Sequence, residues 1–541
     1  MTNKEIGELF GELASLMELH GENEFKSRIY ANAYLNIKKI DIPLYQKTKE
    51  ELGQFPQLGK ALIEKIIELS STGEIKDLEA WRAKTPEGVR QMFKIKGVGP
   101  KKVRVFWKEM QIESIGELLY ACKENRLILY KGFGPKIQED IIKNIEYFQV
   151  NSDSFLLNKL KTEAENLIAA LRKLNPEIRF EITGSIRRTM PTVDLIELLS
   201  SSQNIQWPAE FELTQTEENM LNGIWNLAYK VKIYLCSEEE FGSQLLQSTD
   251  GSQAFKDYIS WDTLAAVKEE AELFVVMKKS YVPAECRDLE DYTDFDEKLL
   301  IEEADIKGVI HNHSTYSDGI YTLKDMTKEC IRLGYQYLVI SDHSKSAGYA
   351  NGLSIERVEM QWREIDQLNQ ELHPFKIFKS IESDILADGS LDYPEDILAG
   401  FDLVIASIHS NLNMDEEKAM TRLIKAIENP YTRILGHLTG RLLLSRRGYP
   451  VNHQKIIDAC ASNNVVPELN ANPVRLDIDW TWVPQLQKQN LLLSINPDAH
   501  NLKGIQDIKH GVVAARKGGL LKTNCLNAKN LNEFETWLAH K

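Results

Sequence analysis

The spacing of apolar residues changes along the chain and separates it into regions of different predicted structure. Up to about residue 150, apolar and charged residues alternate at helical spacing, as in residues 1–20, and predict an all-α region. Strand-like runs follow at 192–199 and 229–235. From about 305 onward, short β-rich runs alternate with helical patterns, and strands separated by helices are typical of a parallel sheet.

The last region contains seven β-rich runs, which is enough strands to close a barrel. In parallel barrels the carboxyl ends of the strands meet at one rim, where the loops build the functional site. We therefore expect the residues that follow these runs to lie close together. The predicted strands are 307–310, 337–340, 376–379, 403–406, 432–435, 465–468 and 491–495.

Potential metal ligands follow six of these seven runs. His311 and His313 are two residues apart in extended chain and share one face, as do Asp498 and His500. Ten of the eleven histidines lie at or after residue 311, which scattered core or surface histidines do not explain. The pattern predicts a polynuclear metal site, and such sites usually cleave phosphate esters. The candidate ligands are His311, His313, Asp318, His343, Glu382, His409, His437, Asp498 and His500.

The segments that carry these residues resemble the PHP (polymerase and histidinol phosphatase) family motif by motif. They are HNHSTYSDG at 311–319, SDHS at 341–344, IESD at 381–384, SIHS at 407–410, GHLTGR at 436–441 and NPDAH at 496–500. The resemblance covers about 300–541 and implies a seven-stranded (β/α)7 barrel. It also implies a centre of three divalent ions, with Glu382 bridging two of them and a metal-bound water as the nucleophile.

The chemistry of this ligand set favours some metals and attracts phosphate. Six neutral imidazoles and three carboxylates leave a charge of about +3 once three divalent ions are bound, which draws phosphate. Mixed nitrogen and oxygen ligation suits Mn or Zn, with Fe as an alternative, better than Mg. Asp342, next to His343, either orients a metal ligand or makes a hydrogen bond at the end of its strand. Arg441, with Arg446 and Arg447, either clamps a non-reacting phosphate or is a surface arginine.

A glycine turn recurs in the all-α region. IKGVGPKK at 95–102 returns as YKGFGPK at 130–136, and FPQLGK at 55–60 is a weaker copy. Both strong copies resemble helix-hairpin-helix DNA-binding motifs, in which exposed backbone and lysines contact phosphate. Residues 90–109 hold seven basic residues and one acid. The candidate DNA-binding residues are Gly97, Gly99, Lys101, Lys102, Gly132, Gly134 and Lys136.

The middle region resembles the palm of family X DNA polymerases. GSIRR at 184–188 precedes TVDLIELL at 192–199, and Ser185 and Arg188 match the phosphate contacts of that family. The family needs three aspartates to hold two metal ions, but Leu195, Glu197 and Lys232 stand at those positions. A lysine would repel the cations that a polymerase gathers. The palm therefore predicts an α+β domain without nucleotidyl transfer.

The N-terminal helices complete this resemblance. FKSRIYA at 25–31 is similar to the small N-terminal domain of family X polymerases, and Lys65 matches the Schiff-base lysine of its lyase members. A helix-surface lysine beside Glu64 is the alternative. The whole chain resembles bacterial family X polymerases with a C-terminal PHP domain. We expect four domains, at 1–80 (lyase-like), 81–150 (helix-hairpin-helix), 151–298 (degenerate palm and thumb) and 299–541 (PHP).

Composition and charge limit the remaining possibilities. The net charge is -15, yet residues 1–150 carry 24 Lys and Arg against 22 Asp and Glu, so DNA contact is expected there. Six cysteines without a CxxC pair and the lack of a signal peptide or spanning segment indicate a bacterial cytoplasm, near the nucleoid. We expect gapped, nicked or 3′-ended duplex DNA as partner and no membrane.

Three functions compete at this point. The first is a DNA phosphoesterase that acts as a 3′-5′ exonuclease or processes abasic sites. The second is an active gap-filling polymerase with the PHP barrel as its editing exonuclease. The third is a small-molecule phosphatase of the histidinol phosphate type, or a DNA scaffold without catalysis.

Overall fold

The chain folds into two compact units. A computed structural model describes residues 1–37, 40, 42–149, 154–259, 261, 264–293 and 295–540. One unit comprises 1–123 and 127–148, and the other comprises 124–126 and 149–541. The expected division into four domains stays a prediction, because a division into compact units does not test the boundaries of smaller domains within them.

The first unit is all-α, as predicted. Thr2 and Glu5 form a capping box at the start of the first helix, and Gly73 ends the fourth in the left-handed conformation (φ 80°). Apolar residues three or four apart, such as Phe10 and Leu13, face one continuous core. The α-helices are α1 Asn3–Leu19, α2 Glu24–Ile37, α3 Lys49–Leu52, α4 Lys60–Thr72, α5 Lys76–Ala83, α6 Glu87–Gln91, α7 Pro100–Arg104, α8 Ile115–Lys123 and α9 Pro135–Gln149.

The second unit begins with a mixed five-stranded sheet. Its strand order is β2-β4-β7-β6-β5, and only the β4–β7 pair is parallel. The longest helix of this part packs Leu160, Leu167 and Leu171 into the core under the sheet. The elements are β1 Phe155–Leu156, α10 Leu157–Leu174, β2 Phe180–Ile182, α11 Gly184–Arg187, β3 Thr192–Val193, β4 Ile196–Ser200, β5 Phe211–Glu217, β6 Met220–Trp225, β7 Tyr229–Leu235, α12 Phe241–Thr249, α13 Gln253–Ile259 and α14 Glu270–Val276.

The rest of the second unit is a parallel barrel of seven strands, as predicted. The strands pair in the order β14-β13-β12-β11-β10-β9-β8. A bridge from Asn312 to Ala499, with the His313 amide donating to the Ala499 carbonyl at 2.9 Å, brings the two ends together. The elements are β8 Gly308–Asn312, α15 Leu323–Arg332, β9 Tyr337–Ile340, α16 Ile355–Glu371, β10 Lys376–Asp384, α17 Glu395–Leu398, β11 Leu403–Ser407, α18 Glu416–Ile427, β12 Thr432–Leu435, α19 His453–Asn463, β13 Val466–Asn470, α20 Val483–Lys488, β14 Ser494–Asn496, α21 Ile508–Lys517 and α22 Leu531–Ala539.

A buried lysine of the barrel contacts the part of the second unit that precedes the barrel. The Lys517 side chain on α21 is fully buried, and its Nζ donates to the Arg188 carbonyl at 2.9 Å and pairs with Asp288. The ammonium also lies 4.4 Å from the ring centroid of Trp480. Burial lowers the pKa of Lys517, which the Asp288 carboxylate opposes. The two parts therefore share an ion pair whose ammonium is fully buried.

Among the residues that the structure describes, no helix is both long enough and apolar enough to cross a membrane.

Candidate metal centre

All nine side chains that the sequence predicts as metal ligands lie together at the carboxyl ends of the barrel strands. Each has a nitrogen or oxygen no farther than 3.4 Å from an oxygen or nitrogen of another member. All nine are buried or nearly so. Residues almost 190 positions apart in the sequence, such as His311 and His500, thus meet in one polar cluster.

Glu382 on β10 is the centre of this cluster. Its carboxylate is 1% exposed and lies within reach of five imidazoles. Burial favours the neutral acid, but the surrounding imidazoles hold the pKa of Glu382 well below its usual value. The distances from its oxygens are 3.2 Å to His311 Nε2, 3.7 Å to His313 Nε2, 2.9 Å to His343 Nδ1, 3.0 Å to His409 Nε2 and 2.9 Å to His437 Nε2.

Two of these imidazoles already use their other nitrogen. His311 Nδ1 lies 2.6 Å from Glu468 Oε2, and His409 Nδ1 contacts Asp384. A neutral imidazole carries a single N–H, so a ring that donates from Nδ1 presents a lone pair from Nε2. In both residues that lone pair faces Glu382 Oε1. A cation, either a proton or a metal ion, must lie between such atoms, and this arrangement fits a metal site.

Protons compete with metal ions for these nitrogens. Burial disfavours a charged imidazole, but the Glu382 and Asp384 carboxylates outweigh it and raise the pKa of His409 to about 9. The pKa of His500 also rises to about 9 despite its burial, because of Asp318. Metals bind only deprotonated imidazole, so ion binding near pH 7 has to displace protons.

The ligand atoms form three overlapping groups in the described part of the chain. Within each group the candidate atoms lie within 4.8 Å of one another. His313, His343 and Glu382 each belong to two groups, so they could bridge neighbouring ions. The groups are His313, Asp318, His343 and His500; His311, His313 and Glu382; and His343, Glu382 and His409.

Several buried polar atoms of the cluster make no hydrogen bond of regular geometry among the described residues, although some lie close to one another. Buried polar groups almost always have partners, so these atoms fit the binding of metal ions at this place. They are His311 Nε2, His313 Nδ1, Asp318 Oδ2, His343 Nδ1, Glu382 Oε2, His437 Nδ1 and His500 Nε2. The donor set is mixed imidazole and carboxylate, which suits divalent transition metals.

The backbone is strained at two of these residues. His311 (φ 63°) and Asp498 (φ 53°) adopt positive φ angles, which are uncommon for residues other than glycine. Such strain persists only where surrounding contacts fix it, and it concentrates at functional sites. Here it aims both side chains into the cluster at the barrel's closing seam.

Two carboxylates outside the predicted ligand set hold the histidines in place. Glu468 on β13 accepts from His311, from the His437 amide at 3.0 Å and from Asn496 Nδ2 at 2.8 Å. Asp384 on β10 contacts His409 and accepts from Ser346 Oγ at 2.7 Å. These contacts fix the tautomer and orientation of each ring. The sequence signal for Glu468 was an acid at the end of the one barrel strand without an assigned ligand.

Asp342 acts on the loop that carries Asp318. Its carboxylate accepts from the Ser314 amide at 2.8 Å, the Ser317 amide at 3.1 Å and Gln361 Nε2 at 2.6 Å. Of the two roles open from the sequence, the structure favours orientation of a ligand, through the loop 314–318.

The guanidinium of Arg441 is engaged in structural contacts. It pairs with Asp479 at 2.5 Å and donates to the carbonyls of Arg475 and Leu476. A phosphate clamp would have to break these bonds, so the structure does not support that role for Arg441. Arg446 donates to the Gly440 carbonyl at 2.8 Å, and Arg447 is exposed.

In the palm region, the residues at the positions of the polymerase aspartates do not lie on one continuous strand. Asp194 and Leu195 lie in a bend between β3 and β4, not within the strand. Glu197 accepts from the Ser185 amide at 3.2 Å and from the Tyr234 hydroxyl at 3.1 Å, and Lys232 is its register partner on β7. An added Cβ at Gly184 would lie only 1.7 Å from Glu197 Oε2.

A cavity of about 420 Å³ adjoins these residues. Ser185, Arg188 and Glu197 line it together with the segment from Ser248 to Asp250. The Arg188 side chain makes contacts within the protein: it donates to the Thr249 carbonyl at 2.9 Å and lies 3.5 Å from Asp288.

The glycine turns of the first unit expose their backbone. Gly97 (φ 80°) and Gly132 (φ 94°) need the left-handed conformation, and Val98 and Phe133 anchor the turns in the core. A Cβ added at Gly97, Gly99, Gly132 or Gly134 would meet nothing within 4 Å. Lys101 and Lys136 are exposed, and Lys102 donates to the Gly97 carbonyl at 2.8 Å.

Two family models and a relative of similar length match the chain. A family model described as "Helix-hairpin-helix domain" matches residues 1–75, and one described as "PHP domain" matches residues 310–470. The "DNA polymerase/3'-5' exonuclease PolX" of Bacillus subtilis is 33% identical over 99% of both chains. The chain belongs to the PolX family.

Shorter similarities accompany this one. A "Probable phosphatase" of Thermoanaerobacter sp. is 29% identical over 30% of this chain and 62% of its own length. A "Probable phosphatase" of Acetivibrio thermocellus is 28% identical over a similar share. The helix-hairpin-helix match in this PolX family member covers the weak glycine turn at 55–60, while the two strong copies lie beyond it.

Lys65 of this PolX family member is held as a charged group. Its Nζ lies 2.8 Å from both Glu68 and Asp77. Burial opposes the charge, but these two carboxylates raise the pKa of Lys65 overall. A Schiff-base lysine must be neutral to attack, so the structure favours the structural alternative for Lys65.

Substitution Glu468→Gln tests the outer carboxylate of the metal centre. It preserves shape but removes the charge that fixes His311, so we expect metal affinity to fall about 10- to 100-fold. Titration of the protein with Mn²⁺ or Zn²⁺, followed by calorimetry, measures the change. Glu428→Gln, at an exposed residue of the same charge, serves as the control. Equal metal affinity in both variants would remove Glu468 from the centre.

Proposed function

We propose that this chain is a DNA-processing phosphoesterase whose barrel removes nucleotides from 3′ ends, and whose palm does not transfer nucleotides. The observation that carries the proposal is the convergence of nine predicted ligands around Glu382. The PHP family match and the word exonuclease in the name of the Bacillus subtilis relative support the hydrolysis, whereas the word polymerase in that name does not support the loss of nucleotide transfer.

The three groups of ligand atoms support a centre of three divalent ions, Mn or Zn, with Fe as the alternative. Glu382 would contact two of these ions, and His313 and His343 would each lie between two groups. Divalent ions supply Lewis-acid activation of water and stabilise the charge on phosphate oxygens. The chain's own part is to fix this geometry, since Glu468 and Asp384 orient the imidazoles and Asp342 orients the Asp318 loop.

The outer carboxylates change the charge of the centre. Glu468 and Asp384 add two negative charges to the three of the predicted ligands, because contacts with imidazoles keep their pKa values low despite burial. Arg475, whose Nε lies 4.0 Å from Asp498, returns one positive charge. With three divalent ions the balance is about +2, less than the +3 expected from the ligands alone, and still attractive to phosphate.

The first unit supports DNA as the substrate. Its glycine turns leave backbone open to close approach, and lysines flank both turns. Such contacts bind the phosphate backbone without regard to sequence. We therefore expect gapped, nicked or 3′-ended duplexes as substrates. Cleavage at abasic sites is an alternative, because it also hydrolyses a phosphate ester of DNA.

The palm supports the loss of nucleotidyl transfer. Leu195 cannot bind a metal, and Lys232 places an ammonium on the strand where a third carboxylate belongs. The remaining acid, Glu197, is held by the Ser185 amide and the Tyr234 hydroxyl. The Glu197 carboxylate therefore packs beside Gly184, and we infer that it does not bind a catalytic cation there.

A small-molecule phosphatase is the second candidate. The similarity to two proteins named "Probable phosphatase" favours it, although each match covers only about 30% of this chain. A small-molecule phosphatase would not need the phosphate-backbone contacts that the glycine turns offer.

Substrate preference tests the central proposal. With Mn²⁺ or Zn²⁺ we expect faster release of a label from a 3′-recessed duplex than of phosphate from histidinol phosphate. Glu382→Gln should abolish hydrolysis, because the central carboxylate loses its charge, while DNA affinity stays within about twofold. Faster turnover of the small ester would favour the phosphatase instead.

The salt dependence of DNA binding tests the glycine turns. Replacing Lys101 and Lys102 by alanine should lower the slope of log K against log salt by about 1 to 2, because fewer counterions are released. Fluorescence anisotropy with a gapped duplex measures this slope. The control pair is Lys418→Ala with Lys455→Ala, which are exposed lysines of the barrel helices. An unchanged slope in the first pair would exclude those lysines from the interface.

Primer extension tests the palm. We expect no nucleotide addition to a gapped primer with Mg²⁺ or Mn²⁺, since the metal-binding carboxylates are replaced. The Glu382→Gln variant is the better protein for this assay, because it leaves the primer intact. The Bacillus subtilis relative serves as the positive control. Addition of nucleotides by the variant would show that the palm retains its activity.

A further inference from the structure

The loop that follows His343 is tightly fastened to the metal centre. The Ser344 amide donates to the Glu382 carbonyl at 3.1 Å, and the Leu353 amide returns to the His343 carbonyl at 2.9 Å. Ser346 Oγ donates to Asp384 at 2.7 Å. These bonds hold residues 344–353 in a fixed position beside the imidazoles.

Tyr349 lies on this loop next to two candidate ligands. Its ring centroid is 6.1 Å from that of His343 and 6.2 Å from that of His409. Both histidines belong to the ligand group that includes Glu382. The side chain therefore borders one end of the centre.

The Tyr349 hydroxyl is buried and has no hydrogen-bond partner among the described residues. Two other buried tyrosines of the barrel have partners: Tyr393 donates to the Leu353 carbonyl at 2.6 Å, and Tyr449 donates to the Leu438 carbonyl at 2.8 Å. A buried hydroxyl without a partner is unfavourable, so a polar group from outside the chain, such as water or a phosphate oxygen, would stabilise it.

We propose that the Tyr349 hydroxyl donates a hydrogen bond to a non-bridging oxygen of the phosphate group bound beside His343 and His409. The proposal rests on the proposed phosphoesterase function and assigns a residue outside the ligand set to substrate binding. A neutral donor adds attraction without adding charge to a crowded centre. It would also fix the orientation of the ester, since the loop that carries it is held at both ends.

The Tyr349→Phe variant tests the proposal, because it removes a single oxygen and leaves the ring packing intact. Calorimetry with inorganic phosphate and the Mn²⁺-loaded full chain measures binding directly, and a labelled 3′-recessed duplex measures kcat/KM. Loss of one hydrogen bond to a charged group predicts about a 10- to 100-fold decrease in both phosphate affinity and kcat/KM. Metal content, measured by mass spectrometry, should match that of the unchanged protein.

Tyr393→Phe is the matched control for a purely structural effect. It removes a tyrosine hydroxyl that fastens the same loop at Leu353. Phosphate affinity within about threefold of the unchanged protein is expected for this variant, and a decrease equal to that of Tyr349→Phe would overturn the proposal.

Other outcomes also decide the question. Unchanged phosphate affinity in Tyr349→Phe, or loss of its bound metal, would overturn the role of Tyr349. If the unchanged chain binds phosphate in a Tyr349-dependent way but hydrolyses neither DNA nor a small ester, the binding role stands and the proposed function fails.

Discussion

The structure of the barrel depends on one buried carboxylate that faces five imidazoles. Glu382 sits on β10, the longest barrel strand, whose register sets its carboxylate opposite the ends of the neighbouring strands. Burying so many ionisable groups is costly unless opposite charges or cations satisfy them. Glu468 and Asp384 orient two of the rings so that their free nitrogens point to Glu382. The histidines, the outer acids and the strained residues His311 and Asp498 all follow from that requirement.

The sequence predicted the parts of this site that depend on strand ends. The carboxyl ends of parallel strands meet at one rim, so the position of each predicted ligand after a β-rich run was enough to bring the nine residues together. It could not predict contacts that depend on exact register. Glu468 was missed although its strand was predicted, because an acid on a strand does not reveal which histidine it faces. Arg441 could not be known to reach Asp479, 38 residues further along, until the loops were placed.

Contacts that depend on exact register also explain what the sequence could not predict in the palm and in the N-terminal helices. The run 192–199 was predicted as one strand, but the backbone bends at Asp194 and Leu195, and this moves both residues off the sheet. Hydrophobic alternation predicts that a strand exists more reliably than where it is interrupted. Lys65 was left between two roles by the sequence, and only its contacts with Glu68 and Asp77 favour the structural one. Four domains remain a sequence prediction, because contacts alone separate two units.

The palm region also makes a structural contact with the barrel of this chain. Lys517 on the last long helix of the barrel buries its ammonium against Asp288 and the Arg188 carbonyl, which lie in the preceding part of the chain. Leaving a buried charge without its partner costs about 3 to 5 kcal/mol when the partner is fully buried, and somewhat less here because Asp288 is 18% exposed. Arg188, the residue that resembles a polymerase phosphate contact, lies beside the same aspartate. The turn at 184–188 therefore contributes a backbone acceptor to the packing of α21, and this contact does not itself involve a nucleotide or a metal ion.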